Sequence, residues 1–247
     1  MSTFVAVHIV NAAPPGEAFD PAAFAAVRFD DGQEAARLDL RVKPLHEMSV
    51  PALRAAGLEA AELASAPGSA SQLKPFLRFL GKLPVVTPRP RHDGDFFRAF
   101  APKRFQEQML DLNLLARATF PTMPSHAPDS LAKAFQMPGA DAATPVERAA
   151  LAGRLWLKTL LALEDLPWVV LTQMVRLLDG TDHPLLPILA EAETKAVARG
   201  FGSRERAYAD LAQDFSADIR RKPASGPNER PEPLDAGAVA AFFRKGG

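Results

Sequence analysis

A short apolar run near the N-terminus, FVAVHIV at residues 4–10, does most to restrict the folds open to this chain. The run is too short for a typical helix and the breaker-rich stretch NAAPPG follows it, so it predicts a buried β-strand. An Asp-Gly pair, Asp31 and Gly32, separates the next two strand-like runs and predicts a hairpin turn. The first three strands are therefore expected to be antiparallel neighbours.

Helical patterns fill the middle of the chain, with one further strand among them. Ser49 stands where it can cap a helix that has Pro51 in its first turn. Residues 84–88, PVVTP, predict a short buried strand, and residues 145–163 predict a long helix. Residues 105–120 also predict a helix, although the start of this stretch is compatible with a strand. An α/β or α+β layer fold follows from these elements, and one helix carries an apolar stripe formed by Leu73, Phe76, Leu77 and Leu80.

Only helical patterns follow residue 165. They are broken at DGTDHP, and SRERAYADLAQDF predicts a further amphipathic helix before a segment rich in proline, glycine and charge. The final stretch, LDAGAVAAFFRKGG, predicts a capped helix whose apolar residues Val239, Phe242 and Phe243 need a partner. The predicted organisation is a strand-containing domain at 1–165, a helical extension at 166–221, a linker at 222–233 and a terminal helix at 234–247.

Charge and cysteine content narrow the range of functions. Lys and Arg number 29 and Asp and Glu number 29, so the net charge of zero argues against strong autonomous binding of nucleic acid. The absence of cysteine excludes disulfides, thiolate metal sites and a thiol nucleophile. No basic leader precedes the first apolar run and no run is long enough to span a membrane, so we expect a cytoplasmic protein without a membrane partner.

Several segments between residues 4 and 163 together resemble the DnaQ-like 3′-to-5′ exonucleases, whose four acidic motif residues hold two divalent metals. FVAVHIVNAA is similar to the first strand of that family, AFAAVRFDDGQ to its hairpin, and VVTPRPRHDGDFF to its second motif. The stretch MLDLNLLARATFPTMPSHAPDSLAKAF is similar to the family segment that follows. This resemblance implies an RNase H-like exonuclease fold at 1–165, with a mixed sheet whose first three strands are antiparallel, flanking helices and a helical C-terminal extension.

The resemblance also implies that the active site is degenerate. The Asp and Glu of the first family motif fall on His8 and Val10, and the Asp of the second motif falls on Asp93. The His base and the Asp of the third motif fall on Glu147 and Ala152. Only one of the four metal-binding acids is then retained, so we expect no catalytic residues, no metal site and no cofactor.

Structural roles are predicted for most of the polar residues in these segments. Asp93 is interpreted as a solvated acid of a charged loop that also contains His92. His8 is interpreted as a hydrogen-bonded core histidine, and Asp111 and Asp129 as helix or turn caps. A group of basic residues is expected near the cleft that holds the active site in the resembled family. These residues either contact a phosphate backbone or form a plain solvated surface. They are Arg89, Arg91, Arg98, Lys103 and Arg104.

The last segment, PLDAGAVAAFFRKGG, resembles the helix that precedes the ATP-binding motor in DinG-like helicases, where an exonuclease-like domain and a helical connector come first. No Walker motif is present, so the sequence predicts no ATPase. This resemblance suggests either an N-terminal fragment of a helicase or a free-standing protein derived from one.

Three functions remain open from the sequence. The first is an inactive exonuclease-like domain that binds nucleic acid or docks to a protein in DNA repair or a helicase context, with single-stranded nucleic acid or a helicase as partner. The second is an active exonuclease that binds Mg²⁺ or Mn²⁺ through displaced acids such as Asp93, Asp95, Asp111 and Glu147. The third is a structural scaffold that binds a partner through its terminal helix and makes no contact with nucleic acid.

Overall fold

A five-stranded mixed sheet forms the centre of the molecule in the computed structural model, which describes residues 3–107, 109–138 and 143–201. The strands lie in the order β3-β2-β1-β4-β5. Their bounds are β1 Thr3–Asn11, β2 Pro21–Asp30, β3 Gln33–Arg41, β4 Val85–Thr87 and β5 Met109–Asp111. β1 is antiparallel to β2 and β2 to β3, which confirms the predicted arrangement of the first three strands. β1 and β4 are parallel, as are β4 and β5.

The predicted hairpin turn joins β2 to β3. Asp31 and Gly32 have φ angles of 48° and 81°, so both adopt the left-handed conformation that a two-residue hairpin turn requires. The flanking residues Asp30 and Gln33 are paired in the ladder. An Asp-Gly pair is well suited to this turn because neither residue is β-branched and glycine has no steric penalty at positive φ.

The helices confirm most of the predicted helical stretches. Their bounds are α1 Val50–Ala56, α2 Ala60–Ser65, α3 Ser69–Leu80, α4 Pro90–Phe100, α5 Arg104–Glu107, α6 Leu112–Thr119, α7 Pro128–Ala134, α8 Pro145–Glu164, α9 Trp168–Leu178 and α10 Leu186–Phe201. Ser49 is the N-cap of α1, and its side chain accepts a hydrogen bond from the Ala52 backbone N–H. Within residues 105–120, the alternative prediction of a strand is correct at Leu110, which pairs with Val86 as part of β5.

The alternation of side chains along β1 divides the core between the two faces of the sheet. Phe4 and Ala6 pack in the cluster that includes Trp156 of α8. Val5 and Val7 pack in the opposite cluster, which contains residues of α3 and α4. α8 lies so close to the sheet that a Cβ atom at Gly153 would be 2.0 Å from the Phe29 ring.

α9 and α10 bury apolar side chains in the same cluster as α8, including Leu171 and Leu189. The predicted break at DGTDHP lies between these two helices. The domain boundary at residue 165 stays a prediction, and the helix at 203–215, the linker at 222–233 and the terminal helix at 234–247 lie outside the described residues. No helix within the described part of the chain combines the length and apolar character needed to cross a membrane.

Candidate functional site

The candidate site lies at the edge of the sheet where the parallel strands β1, β4 and β5 have their carboxyl ends. In open α/β sheets this edge is where ligands usually bind, because the loops and helix starts that follow the strands meet there. β4 ends at Thr87 and is followed by α4, and β5 ends at Asp111 and is followed by α6. The predicted motif residues on β1 and α4 therefore come from elements that meet at this edge.

Asp93 is fully buried, with 0% of its surface exposed, and it lies in the first turn of α4. The predicted solvated loop is therefore wrong, because Pro90 starts a helix there and turns Asp93 towards the core. Thr87 Oγ1 donates a hydrogen bond to the Asp93 carboxylate and itself accepts one from the Arg89 backbone N–H at 2.9 Å. His92 Nδ1 lies 2.9 Å from the other carboxylate oxygen, Oδ1.

The Arg89 guanidinium lies between β1 and α4. Its Nη2 donates to the Ile9 carbonyl at 2.7 Å and lies 3.7 Å from Asp93 Oδ1 and 3.4 Å from His8 Nδ1. The resemblance to the exonuclease family predicts that Asp93 and His8 correspond to two of its acidic motif residues. A fixed positive charge, that of Arg89, lies between these two side chains.

His8 is buried and in contact with Arg89, which confirms its interpretation as a hydrogen-bonded core histidine. Burial lowers the pKa of His8 well below its usual value, and the positive charges of Arg89 and Arg148 lower that pKa further. The imidazole is therefore neutral near pH 7. Neutral imidazole can accept a hydrogen bond at Nδ1 from the Arg89 guanidinium.

Glu147 and Ala152, the residues aligned with the third motif, both lie on α8. The Glu147 carboxylate accepts from the backbone N–H groups of Thr144 at 2.9 Å and Ala143 at 3.0 Å, closing a capping box with the Thr144 side chain. These hydrogen bonds lower the pKa of Glu147, and the bond from the Thr144 N–H has the largest effect. Ala152 is fully buried, and Val10 packs beside Leu53, so neither position offers a ligand atom.

Arg148, which the sequence did not single out, adds a positive charge that acts on His8. Its Nη2 donates to the Ala55 carbonyl at the end of α1 at 2.7 Å, and its positive charge helps to lower the pKa of His8. The sequence offered one indication of this residue, since Arg148 directly follows Glu147 in the segment aligned with the third motif.

The donor set does not fit a pair of divalent cations. Mg²⁺ and Mn²⁺ prefer several carboxylate or carbonyl oxygens. Asp93 is engaged by Thr87, His92 and Arg89, and Asp111, which pairs with Thr87 in the sheet, caps α6. Within residues 3–107, 109–138 and 143–201, no group of three or more His, Asp or Glu side chains is arranged to hold a metal ion.

The other acids proposed as displaced ligands have separate roles. Asp95 is exposed and pairs with Arg98 at 2.5 Å. Asp111 caps α6 by accepting from the Leu114 N–H at 3.0 Å, which confirms its predicted role, and burial raises its pKa. Asp129 was predicted only as a cap. It lies in the first turn of α7, whose N-cap is Ala127, so its predicted capping role is wrong.

The five basic residues predicted as phosphate contacts are spread over two helices and a loop. Arg89 precedes α4 and faces the cleft, whereas Arg91 is exposed on the first turn of that helix. Arg98 pairs with Asp95 at the other end of α4. Lys103 lies 3.3 Å from Glu107, and the Arg104 guanidinium lies 4.8 Å from the centre of the Phe105 ring.

Solved structures of nucleases share this fold. The nuclease domain of 3′hExo, a DEDDh family member bound to rAMP, superposes with a TM-score of 0.54 at 12% identity, covering 65% of this chain and 92% of that one. Cell-death related nuclease 4 (CRN-4) superposes with a TM-score of 0.52 at 14% identity, covering 64% of this chain and 63% of that one. E. coli exonuclease I in complex with a dA16 oligonucleotide gives 0.51 at 17% identity, with 70% of this chain and 45% of that one covered.

No protein-family model matches the sequence, and no curated protein does. The structural likeness defines the class of fold: the chain has the RNase H-like fold of the DEDDh, or DnaQ-like, 3′-exonucleases. At these identities the likeness establishes the fold alone. The activity of the chain depends on the residues in its cleft.

Proposed function

We propose that this chain is a catalytically inactive exonuclease-like domain that serves as a nucleic-acid-binding or protein-docking module in the cytoplasm, in DNA repair or a helicase context. The proposal of catalytic inactivity is based on one observation. The Arg89 guanidinium lies 3.7 Å from Asp93, the one retained motif acid, and next to His8, which stands in place of another.

The chemistry of the resembled family explains why this observation matters. Two divalent cations activate a water molecule and stabilise the leaving oxygen during phosphodiester hydrolysis. A guanidinium supplies a single positive charge, stays protonated in proteins and cannot ionise a bound water. With Arg89 next to Asp93, and with Val10 and Ala152 apolar, the cleft has neither the ligands nor the charge for that mechanism.

Nucleic acid is the proposed partner because proteins of similar fold have been solved with a nucleotide or an oligonucleotide bound. 3′hExo was solved with rAMP and E. coli exonuclease I with a dA16 oligonucleotide. For this chain such binding is a proposal, supported by the Arg89 guanidinium between β1 and α4. The helicase context rests on the resemblance of the final segment to DinG-like proteins.

A structural scaffold that makes no contact with nucleic acid is the second candidate, and the net charge of zero favours it. The scaffold predicts no affinity for single-stranded DNA, whereas the nucleic-acid module predicts affinity that falls steeply with salt. A salt titration of DNA binding separates the two.

Calorimetric titration with Mn²⁺, followed by incubation of the same sample with end-labelled single-stranded DNA, tests catalytic inactivity. The proposal expects an intact strand and no binding of a pair of ions. Binding of two ions with shortening of the strand, both lost in the Asp93→Ala variant, would establish instead an active exonuclease with displaced ligands.

A further inference from the structure

We propose that His46 is a pH-dependent latch for the loop between β1 and β2. In the closed state the doubly protonated imidazole binds Glu17 and Asp20, and this holds the tip of the loop, residues 14–18, against the segment that follows β3. Loss of one ring proton releases the tip. The latch goes beyond the proposed function, because it concerns how the loop is held, whatever the cleft binds.

The loop and its partner segment lie at one edge of the sheet. β1 and β3 run in the same direction, since each is antiparallel to β2. The loop at residues 12–20 and the segment at residues 42–48 therefore leave the carboxyl ends of two strands at the same edge. The candidate site lies at this edge too, because β4 is parallel to β1. Phe19, near the end of the loop, lies 5.1 Å from His92 of that site between ring centres, so the latch controls a loop that borders the site.

The base of the loop is fixed without any contribution from the imidazole. The Asn11 side-chain carbonyl accepts hydrogen bonds from the backbone N–H groups of Ala13 at 3.1 Å and Asp20 at 2.8 Å. Residues 14–18 are exposed. Within the described part of the chain, the contact of Glu17 with the imidazole is the only hydrogen bond or ion pair that joins these five residues to another segment. The position of the tip therefore depends on this one contact.

The geometry around the His46 ring requires two ring protons. Nδ1 lies 2.9 Å from Asp20 Oδ2, and Nε2 lies 2.9 Å from Glu17 Oε2. A neutral imidazole has a single N–H, so one of its nitrogens would direct a lone pair at a carboxylate oxygen. Both contacts are hydrogen bonds only in the imidazolium form, which also places a positive charge between two negative charges.

The two carboxylates differ in how firmly they are held. Asp20 has 8% of its side chain exposed and also accepts from the backbone N–H groups of Leu45 and His46, both at 2.8 Å. Glu17 has 55% of its side chain exposed and no other side-chain partner among the described residues. When the ring becomes neutral, the remaining proton stays on Nδ1, facing Asp20, and the Nε2 lone pair repels Glu17. Glu17 can then turn into water, so the tip is the part of the loop that is released.

The same contacts determine the pH at which the latch opens. Hydrogen bonds to Asp20 and then to Glu17 raise the pKa of His46 above its usual value. The latch is therefore closed below this pKa, where the ring is protonated, and it opens as pH rises through it. Within the described residues, Glu17 and Asp20 are the charged groups in contact with the ring, whereas the nearby Lys43 and Glu47 are exposed and make no ion pair with it.

NMR spectroscopy of the isotope-labelled full chain tests the latch. Resonances of the His46 ring give its pKa, and backbone order parameters of Gly16 and Ala18 report motion of the tip on the picosecond to nanosecond timescale. We expect order parameters of about 0.85, as in a rigid backbone, below that pKa, and values under about 0.6 above it. The midpoint of this change should coincide with the pKa of the ring.

The Glu17→Gln variant should abolish the dependence on pH, because an uncharged amide can bond with Nε2 whether or not that nitrogen carries a proton. Glu47→Gln is the matched control, since it removes the same charge next to His46 in the chain but from a side chain outside the latch. This control should keep the wild-type response. Chemical shifts of the residues in β1 and β2 verify that both variants are folded.

Three results would overturn the latch. Order parameters of Gly16 and Ala18 that stay constant through the pKa of His46 would show that the ring does not hold the tip. A response that is retained in Glu17→Gln, or lost equally in Glu47→Gln, would indicate a general effect of charge near the loop. None of these measurements involves nucleic acid or a metal ion, so their outcome is independent of catalytic inactivity.

Discussion

Arg89 Nη2 lies 3.7 Å from Asp93 Oδ1 across the first turn of α4, so the acid predicted to match the second family motif is paired with a cation of the protein itself. The carboxylate is completely buried, whereas Arg89 reaches the surface. Asp93 is the partner that depends on the pair, because its charge has no access to water. Arg89 also donates to the Ile9 carbonyl, so it links the start of α4 to β1.

The Asp93→Asn variant should lose about 1 to 3 kcal/mol of unfolding free energy, because the buried side-chain amide has one acceptor oxygen where the carboxylate has two, facing Thr87 Oγ1 and His92 Nδ1. Urea denaturation followed by circular dichroism measures the loss. Asp95→Asn is the control two residues further along α4. Its pair with Arg98 is exposed, so it should cost less than about 1 kcal/mol. Equal costs for the two variants would contradict the assignment.

Gly153→Ala tests the close packing of α8 on the sheet. A Cβ atom at this position would lie 2.0 Å from Phe29 Cε2, within the stacked pair of Phe4 and Phe29. The helix or the ring must move, so we expect a loss of about 1 to 3 kcal/mol in unfolding free energy. Gly200→Ala is the control, since a Cβ there meets no atom of residues 3–107, 109–138 or 143–200 within 4 Å and alanine favours a helix. A neutral Gly153→Ala would show that the contact is relaxed in solution.

His46 should make the stability of the protein depend on pH. Hydrogen bonds from its ring to Asp20 and then to Glu17 raise the pKa of His46 in the folded state. A raised folded-state pKa favours the folded protein fully below the unfolded-state pKa, about 6.5 for histidine. This contribution is lost as pH rises through the folded-state pKa of His46.

The His46→Gln variant isolates that contribution from the rest of the protein. The difference in unfolding free energy between wild type and His46→Gln should be largest at acidic pH and should shrink as pH rises. His8 acts in the opposite direction, because its lowered pKa favours protonation of the unfolded chain as pH falls. A difference that stays constant with pH would rule out the charged contact at His46.

Local patterns were sufficient to predict four of the five strands and most helices. The apolar run of β1, the Asp31-Gly32 turn and the Ser49 cap each have a local physical cause, so the sequence predicted them correctly. β5 contains only three residues, which is too short for its period to be recognised beside the helix that follows. Its identity depends on pairing with β4, a contact distant in sequence.

The candidate site was harder to predict because its interactions are also long-range. Asp93 was interpreted as solvated since its neighbours are charged, but the helix turns it inward together with Phe96 and Phe97. Arg89 reaches across to Ile9 on β1, and Arg148 reaches the end of α1. No local pattern indicates contacts between such separated residues, so the role of these arginines became visible only in the fold.

Restoring acids to the first motif should create a metal site only when Arg89 is removed as well. In the triple variant His8→Asp, Val10→Glu and Arg89→Asn, the new carboxylates can join Asp93 around one cation, so we expect calorimetry to detect binding of Mn²⁺. The double variant that keeps Arg89 is the control, and it should not bind, because the guanidinium already neutralises Asp93. Binding by the double variant would show that Arg89 yields its place to a metal ion, and would remove the main support for catalytic inactivity.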